Sequence, residues 1–235
     1  MEHRTRTILK TAVHDFIKTG RPVTSHTLFA DYDFGIKPAM IRRELHELST
    51  QGFFFQAHPS GGRFPSDEAY EFFVECLLED ANDYENPHVS FVRHMQAYYD
   101  EGKIWDFVED IGAYLEVLSV GYTPHDGRLY AQGLEELLMR FSTSFRDELL
   151  QIVHEIELLH DRVPKRWESW EHSEEWPKVF IGENPITKSK HLSVVADYFN
   201  ADDAHPLLLL MIGPKHMNYQ KSLGFLRSFT HTCNT

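Results

Sequence analysis

The chain has 235 residues, enough for one large or two small domains that each bury a core of their own. Hydrophobic residues make up 42% and charged residues 25%, ordinary values for a globular protein. No run of about 18 apolar residues is present to cross a membrane as a helix. Two cysteines, Cys76 and Cys233, exclude a disulfide framework and a four-cysteine zinc site, and the net charge of -13 argues on its face against nucleic acid.

The charge is unevenly spread. Residues 1–66 hold nine Lys/Arg and six acids, a balance of +3, while the remainder balances at −16. Such asymmetry points to a nucleic-acid-facing module on an acidic body. The polar start, with no apolar segment behind it, carries the expectation of no secretory signal and a cytoplasmic location.

In chain order, Ile8-Leu9, Ala12-Val13 and Phe16-Ile17 recur every four residues, the stripe of an amphipathic helix stopped at Gly20 and Pro22. A short helix is expected from Ser25 to about Tyr32, with Thr24 as its cap, then a turn at Gly35. A third helix runs from Pro38 to about Gln51 and buries Ile41, Leu45 and Leu48. Ala39, Arg43, His46 and Glu47 point away from that face, with Met40 and Arg42 flanking them. Two helices around a glycine turn make a helix-turn-helix, whose second helix suits the major groove, where arginine reads guanine. Glu44 and Glu47 are expected to repel phosphate and leave that face mixed in charge.

Phe53–Ala57 then reads as a strand, Pro59-Ser60-Gly61-Gly62 as a turn and Arg63-Phe64 as a return strand. A hairpin in this place is the wing of a winged helix-turn-helix, with Arg63 set to reach phosphate or the minor groove. The competing reading of the same pattern is a small three-helix interaction domain. Candidate DNA contacts are Ser25, Lys37, Pro38, Ala39, Met40, Arg42, Arg43, His46, Ser60, Gly62 and Arg63.

Further along, Ser66 caps a helix reaching Asp80, and Val89–Tyr99 and Ile104–Ile111 read as two more. Tyr114–Val120 reads as a strand. Phe145, Leu149, Ile152, Val153, Ile156 and Leu159 mark one long helix over about 145–160. Val179–Ile181, His191–Phe199 and Leu207–Ile212 read as strands, and Tyr219–Thr230 as a closing helix. Helices around strands without βαβ regularity give an α+β body.

Enzyme signatures are weak. His154 and His160 are six apart, about 240° around a helix, whereas a zinc-binding helix needs a spacing of four. Cys76 lies on an apolar helix face and reads as core, and Cys233 with His231 lacks further ligands nearby. No nucleophile elbow, phosphate loop or dinucleotide fingerprint occurs. Trp167, Trp170 and Trp176 beside Glu174-Glu175 read first as packing residues and second as a ligand or partner surface. The expectation is a protein that is not an enzyme, with no metal and no cofactor.

The first seventy residues resemble the amino-terminal domain of the HrcA heat-shock transcription repressors. The matching pieces are Thr19-Gly20-Arg21-Pro22-Val23, Ser25-His26-Thr27-Leu28, Ala39-Met40-Ile41-Arg42, Glu44-Leu45, Glu47-Leu48, Gly52, His58-Pro59-Ser60 and Gly62-Arg63. Pro65, Tyr70 and Phe73 close the match. Arg128-Leu129-Tyr130 with Gly133, Val179–Asn184, Leu192–Val195 and Leu207–Tyr219 are similar to the family's GAF-like domain. The resemblance implies a winged helix-turn-helix over 1–66, a helical linker region over 67–112 and a GAF-like α+β domain over 113–235.

Two departures stand out. Lys37-Pro38 replaces small hydroxyl residues at the start of the recognition helix, which bears on base contacts and on the operator. Only Ser119–Gly127 fills the gap where the family carries an inserted dimerising domain, so the family's dimer contact is not carried over.

The resemblance implies a repressor that binds an inverted-repeat operator in double-stranded DNA upstream of chaperone genes, leaves it on heat stress and depends on a GroEL-type chaperonin. A homodimer is expected to form on DNA, through outer helices of the body that include 145–160. A rival reading makes the body a small-molecule sensor governing other genes. A third, from another class, is an enzyme or interaction protein with a degenerate winged helix.

Overall fold

The computed structural model describes residues 1–235 except Ala57, Pro59, Ser60, 142–145, 201–205 and 234–235, and the side chains of 81, 146, 232 and 233. It is a mixed α+β structure that divides into two compact units, Met1–Ala81 and Asn82–Thr235. The segment 67–112 divides between them.

The first unit begins with α1 (His3–Thr19), which ends as Gly20 turns left-handed (φ 65°) and donates its N–H to Phe16 O. α2 (Ser25–Asp31) starts with a reciprocal cap between Thr24 and Thr27. A turn carrying Gly35 (φ 66°) leads into α3 (Pro38–Thr50), with Pro38 in its first turn. β1 (Phe54–Phe55) and β2 (Phe64–Pro65) pair antiparallel, and α4 (Asp67–Glu79) follows from a Ser66 cap that accepts the Ala69 N–H. Ile8, Leu9, Val13, Leu28, Ile41, Leu45, Leu48 and Phe73 form the core, where α1 packs on α3 and α4.

The second unit opens with α5 (Val89–Asp100) and α6 (Ile104–Leu115), and continues with β3 (Leu118–Thr123), β4 (Arg128–Gln132) and α7 (Leu134–Met139). Then come α8 (Arg146–Glu157), α9 (Leu159–Trp170), β5 (Lys178–Ile181), β6 (Leu192–Phe199), β7 (Leu207–Pro214) and α10 (Tyr219–Cys233). The five strands make one antiparallel sheet in the order β4-β3-β7-β6-β5. On one face Val120, Val194, Ala196, Leu208 and Leu210 pack with Ile152, Leu159, Val163, Trp167 and Trp170 of α8 and α9. On the other, Phe199 joins a ring cluster with Tyr99, Phe107 and Phe229 of α5, α6 and α10. Because both faces are covered, β6 and β7 are apolar almost throughout, and simple alternation is lost.

Three sequence expectations are corrected. The strand expected at Tyr114–Val120 begins only at Leu118, because α6 extends to Leu115. Ile104, Phe107, Val108, Ile111 and Leu115 complete one buried helical face, and Glu116 then turns left-handed at φ 56°. The gap at Ser119–Gly127 is therefore largely strand, with a tight turn at 124–127. The single helix expected over 145–160 breaks at Leu158, and a second helix, α9, follows it. Pro164 inside α9 removes one backbone bond and obscures its pattern, yet Leu159, Val163, Trp167 and Trp170 bury its inner face.

Candidate nucleic-acid interface

The geometry of α3 rests on a buried charge. Glu44 is 3% exposed and faces α1, where Arg4 donates to its Oε1 at 3.0 Å and Thr5 Oγ1 donates to its Oε2 at 2.8 Å. This corrects the expectation that Glu44 repels phosphate: the side chain is matched and turned inward. Glu47 remains exposed.

The outer surface of α3 carries the candidates. Lys37, Ala39, Arg42, Arg43 and His46 are exposed, and Pro38 and Met40 are partly so. The two arginines diverge. Arg43 lines a cleft with Glu2, Arg4, Glu47 and Gln51, whereas Arg42 lies close enough to Arg63 of the hairpin to act on its charge.

Arg63 does not extend freely. Its backbone pairs with Val23 in both directions at 2.8 Å, and its Nε donates to Ser49 Oγ at 3.0 Å. It is half-buried, and burial, followed by the nearby Arg42 charge, pulls its guanidinium below the ordinary arginine value. Gly62 serves close packing: a Cβ there would stand 2.6 Å from Pro22 Cβ and 2.8 Å from Pro22 O. Gln56 Nε2 donates to Gly61 O at 2.9 Å across the hairpin, where Phe55 and Phe64 stack.

Of the other candidates, Ser25 is buried (8% exposed) in the first turn of α2, inside the unit, and Ser60 lies outside the described residues. The structure brings Lys37, Pro38, Ala39, Met40, Arg42, Arg43, His46, Gly62 and Arg63 to α3 and the adjoining hairpin. Sequence reasoning missed Glu44 as an anchor and Ser49 as the acceptor for Arg63. No local pattern in the sequence pointed to either.

In the second unit Trp167, Trp170 and Trp176 are packing residues. Trp167 and Trp170 are buried, Trp170 stacks on Phe180, and Trp167 lies 4.6 Å from Tyr198 between ring centroids. Glu155, 6% exposed, accepts from Arg162 at 2.5 Å and from the Lys188 N–H at 2.5 Å, tying α8 to α9 and to the loop before β6. His154 and His160 stand on different helices. Among the described residues no group of three or more His, Cys, Asp or Glu is placed to hold a metal ion, and no helix is long and apolar enough to cross a membrane.

Comparison with known proteins bears on both units. A heat-inducible transcription repressor HrcA of Carboxydothermus hydrogenoformans is 34% identical over 167 residues, 69% of this chain and 47% of that protein. One from Desulfitobacterium hafniense is 43% identical over 82 residues, 35% of this chain and 24% of its own. The chain thus spans from about a quarter to about half the length of these relatives. In fold it is similar to a crystal structure described as that of a hypothetical protein, with a TM-score of 0.75 at 15% identity, covering 100% of this chain and 97% of the other. The family model for the HrcA protein C terminal domain matches residues 80–223, more than half of the sequence. The chain belongs to the HrcA family.

Proposed function

We propose that the chain is a heat-shock transcription repressor that binds an inverted-repeat operator upstream of chaperone genes and leaves it on heat stress. The observation that carries this reading is the exposed outer face of α3, with Lys37, Arg42, Arg43 and His46, on a unit of three helices and a hairpin. That arrangement is a winged helix-turn-helix: α3 enters the major groove, and the hairpin lies against the backbone. Membership of the HrcA family supports the choice of target genes.

The second unit is read as a GAF-like domain, its sheet running second-first-fifth-fourth-third in the order of its own strands. The activity is binding, not catalysis, and the location cytoplasmic. Pairing of two chains follows from the two-fold symmetry of an inverted repeat, and its net acidic body favours assembly on DNA over assembly in free solution. Dependence on a GroEL-type chaperonin follows from the family alone.

Selection of bound sites from random duplex by the full chain tests the reading. Enrichment of an inverted repeat that also lies upstream of chaperone genes supports it, and enrichment of nothing overturns it. Sedimentation with and without the selected site tests pairing: a tight dimer at nanomolar concentration without DNA overturns assembly on the operator.

A further inference from the structure

Arg63 sends its side chain back onto α3, where Nε donates to Ser49 Oγ at 3.0 Å. Ser49 Oγ also donates to Leu45 O at 2.9 Å, so its hydrogen is committed within the helix while its lone pairs receive Arg63. Ser49 lies seven residues after Arg42, two turns along the same face. Neither Arg42 nor Arg63 pairs with a carboxylate among the described residues, although Glu44 and Glu79 of the same unit are matched by Arg4 and Arg6. Two neighbouring positive charges left unmatched repel each other, and an anion set between them relieves that cost.

We propose that Arg42 and Arg63 form a seat for one backbone phosphate of duplex DNA, and that Ser49 is the positioning residue that holds Arg63 in place. The seat rests on the nucleic-acid reading above and deepens it. With Nε committed to Ser49, the two terminal nitrogens of Arg63 are left for phosphate oxygens, and Arg42 approaches from the helix. A phosphate contact carries no sequence information, so a duplex of any sequence reports on it.

The test titrates the full chain into a fluorescein-labelled duplex of arbitrary sequence, about 30 base pairs long, over a series of KCl concentrations. Arg42→Gln and Arg63→Gln are each expected to weaken binding about tenfold at low salt and to flatten the salt slope by about one. Ser49→Ala is expected to weaken binding by roughly three- to tenfold in the wild-type background and to change nothing further in Arg63→Gln. Ser49→Thr, which keeps the hydroxyl acceptor, is expected to bind as wild type. A purely structural serine would not move the salt slope, and exposed Arg42 carries the test should Arg63→Gln fail to fold. Independent, multiplying effects of Ser49→Ala and Arg63→Gln, or unchanged slopes, overturn the seat while wild-type binding keeps the nucleic-acid reading. A wild-type chain that binds no duplex overturns both.

Discussion

The first unit carries nine lysines and arginines against twelve acids, and the second fourteen against twenty-four. Both are net acidic, at −3 and −10, so the sign change seen between residues 1–66 and the rest does not follow the folded boundary. The reason is α4, where Asp67, Glu68, Glu71, Glu75, Glu79 and Asp80 cluster in and just after one helix that belongs to the first unit. What distinguishes the units is the placement of charge. The first buries Glu44 against Arg4 and leaves Arg42 and Arg63 without a carboxylate partner among the described residues, whereas the second commits its buried Glu155 to Arg162 and a backbone N–H. The phosphate seat proposed above thus depends on local unmatched charge, and net charge is a poor guide to such a feature.

The comparison breaks most readily at the second unit's core. Leu210 is fully buried in β7 between β3 and β6, and Leu210→Ala is expected to cost about 2–5 kcal/mol through lost contacts and a cavity. Thermal unfolding read from the tryptophans, all four of which lie in the second unit, should shift strongly. An unchanged transition would mean that the sheet is not the cooperative centre of that unit.

Asp197 sharpens it next. It is 6% exposed on β6, and burial pushes its carboxyl up to about 7, against the one opposing N–H from Tyr198. A carboxyl raised in the folded state contributes stability that is present below its unfolded value near 4 and is lost as pH rises through 7. The second unit should therefore weaken by about 2–4 kcal/mol between pH 4 and pH 8, and Asp197→Asn should flatten that profile. Denaturant titrations at several pH values decide it. Equal slopes for wild type and variant would show that Asp197 is not the titrating group.

In the first unit, Glu44→Ala should destabilise by about 1–3 kcal/mol, below the full cost of a buried pair because Arg4 retains access to water. Glu44→Gln, which keeps the hydrogen bond from Thr5, should lose less. Hydrogen exchange at the α1 and α3 amides is the measurement, and equal losses would place the effect in charge alone.

The last effect, of similar size, concerns binding. Arg43→Ala should weaken a selected site by about 1–3 kcal/mol and random duplex far less, the signature of base readout. Arg42→Ala should weaken both alike. The reverse assignment, in competition titrations against the two duplexes, would exchange the roles of the two arginines.

Local rules in the sequence determined most of the elements. Periodicity placed α1, α3, α4 and α10, glycines at positive φ marked the ends of α1 and α3, and Thr24 and Ser66 caps were visible as residue types. The exposed positions Lys37, Ala39, Arg42, Arg43 and His46 were legible because a helical stripe of Ile41, Leu45 and Leu48 leaves only one face for its neighbours. Local rules failed where distant chain segments decided the outcome. Tyr114 and Leu115 stayed helical because α6 completes its buried face against the sheet, and α9 formed in spite of Pro164 because four apolar residues found a core to enter. Ser25 looked like a contact and went inside. Glu44 and Ser49 gained their partners from residues 40 and 14 positions away. Those pairings depend on how the elements pack, a three-dimensional contact with no periodic trace in the chain, so only the tertiary structure could show which charges were matched.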